Sequence, residues 1–258
     1  MPRKGEKYYF VSSLAKGLRI LEHLAASGEM SAARVAEHLK TSRAAGHRFL
    51  TTLCDLGYVE KTKEGRFRLT FKVVELGMRK LEAFEIRHIA QPYMQEAALA
   101  FGETVNLGHW DGKAIVHLDK INSTEILRLD VGMGAVAPAY CTGLGKAVLA
   151  FLPAKEFEDY LRSVKLVPMS PKSITDPQTL RAEIERVRKR GYAVDNQELG
   201  LGLRCVGVPI FDYTGRPTYA MSVSAPVSRM SAEKIKAIQT KLRSLCRQIS
   251  RQIGAPDA

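Results

Sequence analysis

The sequence predicts an α+β protein of two domains joined by a helical connector, and three observations predict it. At 258 residues the chain exceeds the usual size of one domain. Its first seventy residues carry helical periodicity that gives way to a short basic hairpin. After residue 102, strands and helices follow one another in mixed order with hairpin turns, which implies an antiparallel sheet.

Charge is divided along the same line. Of the net +12, residues 1–80 hold 16 Lys/Arg against 8 Asp/Glu, while the remaining 178 hold 23 against 19. A cationic segment of this kind suits phosphates, and is equally the composition of a solvated charged face. Hydrophobic residues at 45% and charged residues at 26% allow a buried core and exclude a disordered chain. No apolar run approaches the ~18 residues of a membrane span, and MPRKGEKYYF lacks the apolar stretch of a signal peptide, so a cytoplasmic location without membrane contact is expected. The four cysteines stand far apart without a CxxC pair, which points to reduced thiols, with no metal site and no cofactor.

Taken in order, the first helix starts near Ser12 or Ser13 and stops at Ser27-Gly28, with Leu14, Leu18, Leu21 and Ala25 at the spacing of one face. Ser31 caps a short second helix, Ala32 to Leu39, and Lys40-Thr41 turn the chain. The third helix, Ser42 to Leu56, separates into an apolar arc (Ala45, Gly46, Phe49, Leu50, Leu53, Leu56) and an opposite arc of Arg43, Ala44, His47, Arg48 and Thr51. Two arginines, a histidine and a hydroxyl beside a small alanine suit a reader of the major groove. Taken alone, the same pattern is that of an ordinary amphipathic surface helix. The next dozen residues decide the matter: after Gly57, Tyr58–Thr62 and Arg66–Leu69 form two short strands around Lys63-Glu64-Gly65, with Arg66 and Arg68 on one face. Three helices and a basic hairpin make a winged helix-turn-helix over residues 10–70. Its expected DNA-contacting set adds Ser31, Thr41, Ser42, Lys61 and Lys63 to the helix and wing residues.

Residues 71–90 read as the helical connector, with Pro92 restarting the chain into a helix that ends near Phe101-Gly102. In the second domain, 91–254, a hairpin pairs Glu103–Trp110 with Lys113–Lys120 across Asp111-Gly112, and a further strand is expected from Glu125 to Val131. A helix follows from about Gly143 to Leu152, and another opens at Asp176-Pro177 and ends at Arg190-Gly191. Strands at Tyr192–Asn196, Cys205–Phe211 and Thr218–Ser224 precede a terminal helix, Ser231 to Ile253. The string Gly132 to Ala137 matches GxGxxA, yet Pro138 stops any phosphate-binding helix from opening there. No constellation of catalytic residues is visible, so no enzyme is expected.

Several strings, in order over residues 10–254, resemble the IclR family of bacterial transcriptional regulators: SLAKGLRIL at 13–21, HRFLTTL at 47–53, LGYV at 56–59, TGLGKA at 142–147, RGYA at 190–193 and GLGLRC at 200–205. The resemblance implies a GAF-like effector domain, a double-stranded DNA operator, assembly as a homodimer or homotetramer, and a small organic acid as effector. Carried over by position, its pocket falls on Ile126 and Leu129 as apolar walls, Gly143 and Leu144 at a helix start, and Asp195, Cys205, Ser222 and Ser224. Ser222 and Ser224, two apart on a strand, point the same way, as they also would if they merely lined a core. Leu144 is bulkier than the small residue some relatives have there, which leaves the ligand's size open.

Overall fold

The computed structural model describes residues 10–82, 86–128 and 131–256, and the chain divides into two compact units between residues 83 and 84. The first contains α1 (Ser12–Ser27), β1 (Glu29–Met30), α2 (Ala32–His38), α3 (Arg43–Asp55), β2 (Val59–Lys61), β3 (Phe67–Leu69) and α4 (Lys72–Glu82). Serine hydroxyls start two of its helices: Ser31 accepts the Arg34 N–H at 3.3 Å and Ser42 the Ala45 N–H at 3.2 Å. Gly28 and Gly57, at φ 74° and 78°, end α1 and α3 in the left-handed region that a side chain resists.

On α1 the stripe read from the sequence is not the buried side: Leu14 and Leu18 are exposed and Leu21 half-buried, while Ile20 and Leu24 are buried. One expectation needs correction: Leu56, placed in the apolar arc of α3, is exposed because it caps the helix. The wing proves to be three-stranded, in the order β1-β3-β2, with Met30 opposite Phe67 and Lys61 on its other side.

The second unit opens on α5 (Ile86–Phe101) and continues through β4 (Thr104–Trp110), β5 (Ala114–Ile121), β6 (Val136–Pro138), α6 (Gly143–Leu149), α7 (Ala154–Ser163), α8 (Pro177–Arg190), β7 (Ala193–Asn196), β8 (Leu203–Ile210), β9 (Tyr219–Pro226) and α9 (Ala232–Gln252). Its six strands form one antiparallel sheet in the order β6-β5-β4-β9-β8-β7. One helix spans 86–101 with Pro92 inside it, instead of restarting there. Burial of Ile86, Ala90, Met94 and Ala97 on one stripe outweighs the single backbone bond a proline removes. Residues 86–90 are thus packed in the second unit, ahead of the boundary expected at residue 91.

No strand forms over 122–128: Ile126 and Leu127 lie exposed there, and the expected strand's residues 129 and 130 lie outside the described residues. Two adjacent exposed aliphatic residues gain nothing from alternation without a neighbouring strand to bond. Helix α7, for which the sequence raised no expectation, buries Phe157, Tyr160 and Leu161 on the helical i, i+3, i+4 pattern.

Candidate nucleic-acid interface and effector site

Helix α3 buries Gly46, Leu50 and Leu53 and leaves Arg43, Ala44, His47, Arg48 and Thr51 exposed on the other side. Close packing holds this orientation, since a Cβ on Gly46 would lie 3.0 Å from that of Ala36 on α2. His47 meets Phe67 of the wing edge to face, with ring centroids 6.4 Å apart. The Thr51 hydroxyl donates back to the His47 carbonyl at 3.1 Å, so its free capacity is as an acceptor. Ser31 and Ser42 spend their oxygens on helix caps, and Thr41 is half-buried with its N–H on the Ala36 carbonyl.

The wing is less freely cationic than its sequence. Arg68 donates to Glu60 at 2.7 Å across the β2–β3 pair, and Arg66 lies 3.6 Å from the Glu29 carboxylate while also donating to the Glu29 carbonyl. Lys61 sits 6.0 Å from the Phe67 ring centre. Among the described residues, Arg43, Arg48 and Lys63 have no acidic partner, so the full cationic charge stands on the helix and at the wing tip. No described helix is long and apolar enough to cross a membrane.

In the second unit the antiparallel register sets one polar row across the sheet, Asp195 opposite Cys205, Cys205 opposite Ser224 and Ser224 opposite Thr104. A second row runs from Gly207 to Ser222 to Asn106. Because side chains alternate along each strand, both rows project from the same face. Helix α6 lies on that face. A Cβ on Gly143 would be 3.3 Å from the Cβ of Cys205, and the Leu144 side chain sits over Gly108, which offers no Cβ.

Six of the eight effector positions therefore converge: Gly143, Leu144, Asp195, Cys205, Ser222 and Ser224 are all buried on the α6 face. Ile126 does not join them. It is 99% exposed, and among the described residues the segment carrying it pairs with no strand. Leu129 lies outside the described residues.

Sequence reasoning missed three polar groups beside these. Asn106 is buried, donates to the Ser224 hydroxyl at 3.2 Å, and leaves its own Oδ1 without a hydrogen bond. The alternation of Thr104, Asn106 and Gly108 with apolar Val105 and Leu107 was a legible signal for it. Lys146 of α6 is wholly buried, donating to the Val194 carbonyl at 2.7 Å and closely to Glu198, with Glu183 at 3.8 Å. Since 52 residues separate Lys146 from Glu198, no local pattern announces that pair.

Asp195 has one oxygen satisfied and one not. Its Oδ1 accepts the Glu198 N–H at 2.7 Å, and its Oδ2 is buried with no partner. Burial pushes its carboxyl up to about 6, reinforced by the Glu198 charge and opposed by that backbone bond and by Lys146. Burial likewise holds the Cys205 thiol far above its usual range, so it presents a neutral S–H. The face is thus built from neutral, hydrogen-bonding groups, with a carboxyl that can keep its proton in mildly acid conditions.

Comparison with known proteins agrees with both halves. The family model described as IclR helix-turn-helix domain matches residues 13–63, and that described as bacterial transcriptional regulator IclR C-terminal matches residues 78–251. The chain is 34% identical over 248 residues to the HTH-type transcriptional regulator KdgR of Escherichia coli, covering 96% of this chain and 94% of that one. It is 31% identical to the Pca regulon regulatory protein of Pseudomonas putida, covering 93% and 84%. Among solved structures, that of the Thermotoga maritima IclR superposes with a TM-score of 0.76 at 36% identity, covering 94% of this chain and 98% of that one.

Proposed function

Because the chain belongs to the IclR family of transcriptional regulators, with a helix-turn-helix DNA-binding domain and a C-terminal effector domain, we propose that it binds a near-palindromic operator whose affinity a small organic acid adjusts. The observation that carries this reading is the outward face of α3. Arg43, His47 and Arg48 are exposed together around the small Ala44, beside a wing that touches the same helix.

In this reading α3 enters the major groove, where Arg43, His47 and Arg48 reach base edges and Ala44 permits close approach. Lys61, Lys63, Arg66 and Arg68 rest on the backbone, with Ser31, Thr41, Ser42 and Thr51 at the groove's rim. Phe10, Val11, Leu14 and Leu18 form an exposed apolar stripe leading into and along α1, which supports pairing of two N-terminal units in a homodimer or homotetramer. Two such units read half-sites one or a few helical turns apart, about 34 Å each.

The acid sits on the α6 face, with Ser222, Ser224 and Asn106 offering neutral polar groups and protonated Asp195 donating to its carboxylate. Gly143 and Leu144 close one side of this site, and Cys205 lines it. Linkage makes the coupling reciprocal, so an acid that changes operator affinity tenfold has its own affinity changed tenfold by DNA.

The test is to sequence the genomic fragments that the full-length protein retains, then to repeat retention with a panel of small organic acids. An inverted repeat shared by the fragments, and at least one acid that changes retention and raises the unfolding temperature, is the expected result. Fragments with no common motif, or retention indifferent to every acid that stabilises the protein, would overturn it.

A further inference from the structure

Where the end of α8 meets α9, the second unit has a cleft of about 620 Å3 that neither operator binding nor the effector face uses. Its floor is apolar and partly aromatic: Phe151 and Phe211 meet edge to face at 5.4 Å, with Val208 and Cys246 beside them. Its rim carries Arg188, Lys189, Arg243, Arg247 and Arg251, and among the described residues its lining includes no acid. That volume falls in the range of small-molecule sites, roughly 300–1,000 Å3.

The cations are arranged at some cost. Arg243, Arg247 and Arg251 stand at i, i+4 and i+8 on one side of α9, where like charges repel. Two of the rim groups are also held in place. The Arg243 guanidinium packs over Gly191, 3.3 Å from where a Cβ would lie, and Arg188 donates to the Ala150 carbonyl at 2.6 Å. A purely solvating surface would not line its bases around aromatic rings; of these bases Arg188 also pairs with Glu185, outside the lining, at 3.0 Å. The cleft lies toward the far end of β8 from Cys205: its lining takes in Val208, Pro209 and, just past the strand, Phe211, six residues beyond Cys205 and about 20 Å away at strand spacing.

We propose that this cleft is a second small-molecule site, taking an organic anion whose flat apolar body covers Phe151 and Phe211 while its phosphate or carboxylate groups meet the α8 and α9 cations. A duplex would meet the arginine ridge but has no apolar body to fill the floor, so the chemistry favours a small amphiphilic anion.

The experiment titrates the full-length protein with 1-naphthyl phosphate, followed by equilibrium dialysis, with 1-naphthol as the uncharged control. Saturable binding of the phosphate, weakened by salt and absent for the naphthol, is expected. Arg247→Glu reverses an exposed rim charge and weakens binding by about tenfold. Ala255→Trp, which fills the cleft from its C-terminal wall, abolishes it. Thermal unfolding checks that each variant is folded, and Lys189→Glu replaces Arg247→Glu should that variant fail. Equal binding of phosphate and naphthol, or unchanged binding in both the rim and the filling variants, would overturn the proposal.

Discussion

Replacing Gly207 with alanine tests how the effector face is built. A Cβ at that position would lie 2.2 Å from the Gly143 carbonyl oxygen, 2.4 Å from its carbon and 2.9 Å from the Leu144 nitrogen. Ordinary contacts begin near 3.4 Å, so α6 and β8 must separate by about 1.2 Å. Every clashing atom is backbone, and no rotamer change can absorb the shift. All seven residues of α6 are buried, among them Lys146 in its ion pair with Glu198. Lifting the helix therefore loosens packing and a buried charge pair together. Overpacking of this kind costs about 1–3 kcal/mol, and an unyielding backbone puts Gly207→Ala near the upper end. For a domain of this size that lowers the unfolding temperature by roughly 6–12 °C. Thermal unfolding of the full chain, followed by circular dichroism, measures it. A variant that melts within a degree of the parent would refute the close approach of α6 to the sheet.

Three further outcomes rest on the same geometry. If protonated Asp195 donates to the effector, affinity for an organic acid falls as pH rises through about 6, approaching tenfold per unit above it, and Asp195→Asn flattens the profile; a slope that survives in the variant would exclude Asp195 as its source. The raised carboxyl also makes its stability contribution fullest below the unfolded value near 3.9; that contribution falls between there and about 6 and is lost above it. Lys146→Met strands the Glu198 carboxylate in the interior and costs about 3–5 kcal/mol in chemical denaturation, whereas adding Glu198→Gln restores much of the loss; simple additivity of the two would mean that the pair is not coupled. Glu60→Gln frees Arg68 and removes a negative charge from the wing, so binding to any duplex tightens and steepens in salt by about one counterion. Unchanged salt dependence would show that Arg68 stays off the backbone.

How much of this was legible in the sequence depends on how local each cause is. The hairpin of β4 and β5, the Asp176-Pro177 start of α8 and the serine cap of α2 were readable, because each is fixed within a few residues. Strand β1 was not, since two residues carry no periodicity and Met30 is a strand only because Phe67 lies beside it. Helix α7 could have been found from Phe157, Tyr160 and Leu161. The stripe through Leu14 and Leu18 was legible, but an amphipathic stripe reports that a face is apolar, not what covers it.

The two candidate sites differ in the same way. The outward arc of α3 follows from a 100° step and reads directly, while the arginines of the wing read as free charges until the fold brings Glu29 and Glu60 beside them. On the effector face, Asp195, Cys205 and Ser224 align only through strand register over thirty residues. The unsatisfied Oδ1 of Asn106 has no signature in the sequence.

The measurement that bears most directly on the regulatory account is operator binding as a function of salt for Arg48→Ala and for Arg66→Ala/Arg68→Ala. With Arg48 reading bases and the wing pair contacting phosphates, the first variant loses preference for operator over unrelated DNA at nearly unchanged salt slope. The second then weakens both DNAs alike and flattens the slope. If neither variant changes DNA affinity, the duplex does not meet this surface, and the assignment of α3 and the wing is wrong.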